Sequence, residues 1–347
     1  MAIIRVGVLR GGPSDEYDVS LATGKTVLAS LSHDKFRDKY HVHDILLSKD
    51  GVWYHSGVPI AVERALAQVD VVVNALHGAY GEDGKVQMLL EAHGVPFTGS
   101  KAFASAVAMN KVLTKDSFVR YGIKTPRHIL IDSASLADGS LLEKIDTIFR
   151  TFSLPVVVKP SESGSSVGIS IARAHGDLAP HILKAFQYSV RRDGTVAPVM
   201  VEEFIAGTEA TVGIIDNFRG EELYALPVVE IRHNRDFFDY ESKYSRDDVV
   251  DHRGKKVAAE EIVPSHFSSE IKAELERLAR DIHRVLGLRH YSRSDFIVAP
   301  RRGIYALEVN TLPGLTETSI VPKALAAVGA SLPDFFDHIV TLAIEGK

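Results

Sequence analysis

The chain has 347 residues, enough to bury two or three cores, and its balance of 45% hydrophobic and 24% charged residues is that of an ordinary globular protein. A formal charge of −5 gives no global basic field for nucleic acid, and no uninterrupted apolar stretch reaches membrane-spanning length. The absence of cysteine excludes disulfides, thiolate catalysis and cysteine-type zinc sites, and fits a reducing compartment.

The apolar run at the N-terminus is short and interrupted by Arg5, unlike a signal peptide, so a cytoplasmic protein without membrane contact is expected. Residues 3–9 (IIRVGVL) predict a strand leading into Gly11-Gly12, followed by a helix over about 19–31; strand, glycine turn and helix open a doubly wound α/β unit. A second buried strand, VDVVVNAL, ends at His77-Gly78, and GEDG then precedes the helical KVQMLLEAHG. VPFTG reads as a further short strand, and the first domain is expected to span 1–100. Residues 101–121 read as one helix, ended by Gly122.

LPVVVKPS predicts a strand running into the loop ESGSSVG, and GISIA a returning strand, so the loop is a hairpin tip. VMVEEFIAG is another strand, which places a central domain at 101–205 and a last one at 206–347. TVGIID and ELYALPVVEI continue as a β-rich section. Ile271, Leu275, Leu278, Ile282 and Leu286 recur at helical spacing and predict an amphipathic helix over 270–286 with those residues in the core. SDFIVA and YALEVN form a final strand pair turning at 301–303.

That last pair carries the most chemistry. Period-two alternation sends Glu308 and Asn310 to one face, and the hairpin brings Asp295 beside them. Two carboxylates and an amide, with no histidine or cysteine among them, suit Mg²⁺ shared with nucleotide phosphates; the competing reading is a solvated sheet face. ESGSSVG resembles a phosphate cradle, small residues letting backbone amides approach an anion, with Lys159 entering it. It is not a Walker A loop, because no Gly-Lys-Ser/Thr follows, and Gly24-Lys25-Thr26 lacks the first glycine of one and reads as helix surface. VEEFIAGTE, with Glu202 and Glu209, has the pattern of a strand edge serving a nucleotide, or of a solvated edge strand. His77 stands at a strand's carboxyl end, where open α/β sheets bind ligands. Glu16, past the first glycine turn, either holds a substrate ammonium or offsets a helix dipole.

Taken in order, GGPSDEYDVS, LHGAYGEDGKVQ, VVVKPSESGSSVG, VEEFIAGTE, FFDYESKY, YSRSDF and EVNTLPGLTETSIVPK resemble the D-alanine:D-alanine ligases of the ATP-grasp superfamily over nearly the whole chain. The resemblance implies an α/β and α+β protein, an N-terminal doubly wound α/β domain followed by a two-lobed ATP-grasp fold. It further implies ATP and two Mg²⁺ ions, with Mn²⁺ as a substitute, small amino-acid substrates and a homodimer. By the same resemblance Lys111 and Lys159 contact phosphates, Glu202 and Ile205 the adenine, and Glu209 the ribose. Asp295, Glu308 and Asn310 hold the metal. Glu16 takes the first substrate's ammonium, His77 lies near its carboxylate, and Ser319 takes the second substrate's carboxylate. Lys243 reaches the transferring phosphoryl group, Tyr244 bonds toward Ser165 and Glu16, and Arg293 with the Gly314 amide faces the oxyanion.

One region departs from the family pattern: the segment after Tyr244, SRDDVVDHRGKKVAAEEIVPS, is longer and more charged than expected. It leaves the second substrate open among D-alanine, D-lactate, D-serine and other amino acids. An ATP-binding regulatory protein would lack a metal ligand or the arginine, and all are present. A nicotinamide oxidoreductase is disfavoured because GGPSDE does not match G-x-G-x-x-G.

Overall fold

The computed structural model describes residues 3–162, 168–191, 194–232 and 259–346, which fold around three sheets. The first contains β1 (Ile4–Gly11), β2 (Tyr40–Leu47), β3 (Trp53–His55), β4 (Val58–Pro59) and β5 (Val71–Asn74), in the order β4-β3-β2-β1-β5. Strands β2, β1 and β5 are parallel, and β3 and β4 extend the edge antiparallel. Alternation within the strands sorts apolar side chains to both faces. Val6, Val8, Val71 and Val73 belong to one core, Leu9, Val72, Ile45 and Leu66 to the other. Helix Tyr17–Leu31 covers the first face. The expected strand at VPFTG is instead a single parallel bridge between Val72 and Phe97, because the chain turns away at Gly99.

The stretch expected as one helix is two, Ala102–Met109 and Lys111–Arg120. Asn110 breaks it: its backbone is extended, and its side chain accepts from the amides of Val112 and Leu113, capping the second helix. This break matters to the site, since it sets Lys111 at a helix start, where its amide donates to the Ser161 carbonyl at 2.9 Å.

The second sheet, β6 (His128–Ile131), β7 (Val156–Pro160), β8 (Ser170–Ala172) and β9 (Val199–Glu203), is antiparallel in the order β6-β9-β7-β8. Val156, Val158, Val199 and Val201 pack under helices Leu141–Thr151 and Leu178–Gln187, leaving Lys159 and Glu202 on the opposite face. The third sheet holds β10 (Thr208–Phe218), β11 (Glu221–Ala225), β12 (Val229–Arg232), β13 (Glu260–Ile262), β14 (Tyr291–Ala299) and β15 (Gly303–Asn310), ordered β13-β12-β10-β14-β15 with β11 on β10. Helix Ser269–Val285, capped by Ser268, buries Leu275, Leu278 and Ile282 against it, as its spacing predicts.

The final helix, Leu332–Glu345, returns to the first sheet. Phe335, Phe336, Ile339 and Val340 are fully buried in the same core as Val6, Val8 and Val73. Phe335 also meets the Tyr291 ring edge-on at 5.5 Å, joining the first and third sheets. Phe335→Ala is therefore expected to destabilise the protein by about 3–5 kcal/mol, seen as a fall in the denaturation midpoint; an unchanged midpoint would contradict this packing role. Among the described residues no single helix is long and apolar enough to cross a membrane.

Candidate active site

A cleft opens where the carboxyl ends of β1 and β5 meet the end of β15, the position at which ligands bind in open α/β sheets. Its wall gathers Glu16, His77, Lys111, Arg293, Glu308 and Asn310, with Gly314 at the rim, so seven residues read from separate motifs converge on one space.

The hairpin β14-β15 forms as its alternation predicts, with Asp295 opposite Glu308 and Arg293 opposite Asn310. A bulge lies between those pairs and Phe296–Ala306, inserting Leu307 as an extra residue on β15. It lets Ala306 and Val309 both reach the core while Glu308 and Asn310 keep the cleft face. Asp295 is held from three sides. Arg293 donates to both its oxygens at 3.0 and 2.9 Å, Thr211 donates at 2.5 Å, and the Asn310 amide nitrogen donates at 3.3 Å. Lys111 lies 3.5 Å from Glu308. Burial alone would raise the Glu308 carboxyl, but Lys111, Lys159 and Arg293 outweigh it and keep it below the ordinary carboxylate range. Burial likewise opposes the Arg293 charge, and Asp295 and Glu308 overcome it, holding the guanidinium above its usual value.

At the other wall, Ser14 donates to the His77 carbonyl at 2.6 Å, and the Gly78 amide donates to Glu82 at 2.8 Å. Ligand atoms of Glu16, His77 and Glu82 lie within 4.8 Å of one another. Gly78 has φ +70°, the left-handed region that favours glycine, and a Cβ there would press on Ser14 at 3.3 Å. Asn74 and Gln87 both donate to the Gly81 carbonyl, fixing the GEDG loop from below.

Lys159 and Glu202 form a direct ion pair deep between the second and third sheets. A second lysine completes it: Lys115, fully buried, reaches Glu202 at 2.7 Å and also donates to Thr125 at 2.8 Å. Burial would raise the Glu202 carboxyl, yet Lys115 and Lys159 together bring it down to about 2. Burial pulls the Lys115 ammonium down to about 8, against Glu202.

Lys159 is only 6% exposed. One sequence expectation is corrected here. VEEFIAGTE does not lie on a strand edge: β9 is paired on both sides as far as Glu203 and Glu202, so its ladder cannot serve a nucleotide. The stretch outside both sheets is 204–207, which contains Ile205, buried against Ile297 and Tyr305. Gly207 closes that stretch because a Cβ there would meet the Val298 carbonyl at 2.4 Å. Glu209 follows on β10, buried and opposite Ile297.

Ser319 sits at the start of helix Ile320–Ala327, its hydroxyl 2.8 Å from that of Thr316 and beside Gly314. Lys25 is exposed, as expected of helix surface, while Gly24 is buried against Arg10. Ser165, Lys243 and Tyr244 lie outside the described residues, as does most of the charged segment after Tyr244. Sequence reasoning missed Glu82 and Lys115 as site residues. The GEDG motif contained the first; the second repeats Lys111 at a spacing of four on one helix, a pattern that otherwise marks a solvated face.

A buried lysine, hard oxygen donors and an arginine around one cleft between a parallel α/β sheet and two antiparallel sheets suit a nucleotide-using ligase of mixed α/β and α+β architecture. The family model described as "D-ala D-ala ligase C-terminus" matches residues 118–341, and that described as "D-ala D-ala ligase N-terminus" matches 55–100. The chain is 37% identical to the D-alanine–D-alanine ligase of Geotalea uraniireducens, covering 98% of this chain and 95% of the relative. With that of Moorella thermoacetica it shares 36% over 99% and 100%. Its fold superimposes on D-alanyl-alanine synthetase A from Vibrio cholerae with a TM-score of 0.83, at 26% identity and 99% coverage of each chain. On the VanG D-Ala:D-Ser ligase of Enterococcus faecalis the TM-score is 0.81, at 26% identity, covering 99% of this chain and all of that one. The chain belongs to the D-alanine–D-alanine ligase family, a family of ATP-dependent ligases.

Proposed function

We infer that this chain joins two D-alanine molecules into D-alanyl-D-alanine at the expense of ATP, supplying a peptidoglycan precursor. The single observation that carries the reading is the convergence of Glu16 and His77 with Lys111, Arg293, Glu308 and Asn310 on one cleft. Carboxylates at one wall suit an ammonium, and cations at the other suit phosphates.

In this reading the first D-alanine lies with its ammonium at Glu16 and its carboxylate near His77. A carboxylate oxygen attacks the γ-phosphorus, the bond to the β–γ bridging oxygen breaks, and ADP leaves an acyl phosphate. Lys111 and Lys159 offset the charge that would repel this attack, and Lys243 reaches the transferring group. Glu202 and Ile205 border the adenine and Glu209 the ribose. The second D-alanine, its carboxylate at Ser319, attacks the acyl carbon through its amine. Arg293 and the Gly314 amide stabilise the oxyanion before phosphate departs, and the permanent charge of a guanidinium suits that role. Tyr244 and Ser165 close the site against water.

The donors Asp295, Glu308 and Asn310 fit Mg²⁺: all offer hard oxygens, and the ionised Glu308 faces the cleft. Two Mg²⁺ ions, or Mn²⁺, bound there would neutralise phosphate charge. A cytoplasmic homodimer with no nucleic-acid or membrane partner completes the proposal.

The likeness to the D-Ala:D-Ser ligase of E. faecalis keeps a second reading, a different second substrate, in view. ADP release measured with D-alanine, D-lactate, D-serine and L-amino acids, with products identified by mass, decides between them. D-alanine alone is expected to give rapid turnover and the dipeptide mass. No turnover with D-alanine, but turnover with another acid, would reject the substrate assignment.

A further inference from the structure

Beneath His77 a buried threonine meets one of its two ring nitrogens. Thr23, on the inner face of helix Tyr17–Leu31, is 1% exposed, and His77 is 4% exposed. The Thr23 hydroxyl lies 2.8 Å from His77 Nε2. A threonine inside a helix ordinarily returns its proton to the carbonyl four residues back, as Thr26 does to Ala22 at 3.2 Å. Thr23 instead aims at the imidazole. If Nε2 bore the hydrogen, the Thr23 oxygen would accept it and the hydroxyl proton would be buried with nothing to receive it, a costly arrangement. If Thr23 donates to Nε2, both groups are satisfied and the imidazole hydrogen lies on Nδ1.

Nδ1 lies on the side of Glu82, which with His77 lines the cleft: it stands 3.8 Å from that carboxylate, beyond hydrogen-bond length, while Glu82 is engaged by the Gly78 amide. The backbone of His77 is pinned by Ser14, so the ring has a fixed anchor as well as a fixed partner. We propose that Thr23 is a positioning residue that holds His77 as the Nδ1–H tautomer, presenting a neutral hydrogen-bond donor to the carboxylate of the first amino acid. A neutral donor orients that carboxylate without neutralising it, which preserves its strength as the nucleophile. The inference rests on the reading of His77 as a substrate contact.

The test uses the full-length enzyme labelled with ¹⁵N-histidine, the His77 signals being identified by their absence in His77→Gln. The expected result is a protonated, pyrrole-type Nδ1 and a pyridine-type Nε2 in the parent protein and in Thr23→Ser. In Thr23→Val, nearly equal in shape, Nε2 loses its donor while an N–H turned on the methyls would be buried without an acceptor, so the hydrogen should stay on Nδ1 and the Nε2 signal should move to that of a pyridine-type nitrogen without a hydrogen bond. The KM for D-alanine in the first position should rise about 10-fold, the scale of one hydrogen bond, with KM for ATP and kcat changed far less. Thr23→Ser should restore the parent KM. A protonated Nε2 in the parent overturns the tautomer assignment, and an Nε2 signal unmoved in Thr23→Val overturns the bond from Thr23, whether or not the valine variant is fully stable. A moved Nε2 signal with an unchanged KM overturns the substrate contact of His77 instead.

Discussion

Replacing Glu308 by glutamine should cut turnover about 100- to 1,000-fold, the range typical of losing one electrostatic stabiliser, while leaving the fold standing. The site explains both halves. Glu308 is the one carboxylate on the cleft face of β15, and the cations Lys111, Lys159 and Arg293 all act on it. Glutamine keeps the shape and an oxygen but removes the charge, so a divalent ion would be held more weakly and the three cations would repel one another. The side chain is 37% exposed, and its backbone remains in the β14-β15 ladder, so little packing changes. The measurement is ADP release across a Mg²⁺ titration, together with a melting curve. Near-normal activity at ordinary Mg²⁺ would contradict the metal-binding role, and partial recovery at high Mg²⁺ is the expected signature.

The second large effect concerns stability. Glu202→Gln leaves Lys115 and Lys159 buried around a neutral amide, and removing one partner from such a cluster costs about 3–5 kcal/mol. Denaturant midpoints of the variant and parent measure this directly; a loss below 1 kcal/mol would show that water or rearrangement already shields the lysines. The same carboxylate makes a pH prediction. Its folded pKa of about 2 lies below the ordinary carboxylate value. The folded state therefore prefers the ionised form, and the associated stability is present above the ordinary value and disappears as pH falls toward about 2. Glu202→Gln should remove that part of the acid sensitivity, visible as a flatter dependence of the melting temperature on pH below about 4.5, the ordinary range of a carboxylate.

Much of this arrangement could be read from the sequence because it rests on local periodicity. The valines of β1 and β5, the leucines of helix Ser269–Val285 and the alternation around Glu308 and Asn310 each carry their burial pattern within a few residues. What escaped was set by distant partners. Nothing near Lys115 announces that it will be enclosed with Glu202, because its partner lies nearly ninety residues further along, on β9. The break at Asn110 was hidden by flanking residues with good helix propensity, and only the side-chain cap reveals it. Likewise β9 looks like an edge until β6 and β7 are both placed beside it. Thr23 gave no signal at all, since a threonine at that helical position has the ordinary role of facing its own helix.

The return of helix Leu332–Glu345 to the first sheet orders events during synthesis. Strands β1, β2 and β5 can pair early, but the face bearing Val6, Val8 and Val73 has no Phe335 or Phe336 against it until helix Leu332–Glu345 has been made. A nascent chain stalled before residue 332 would carry a partly uncovered greasy surface, the kind that attracts chaperones, and would complete this core only once that helix leaves the ribosome.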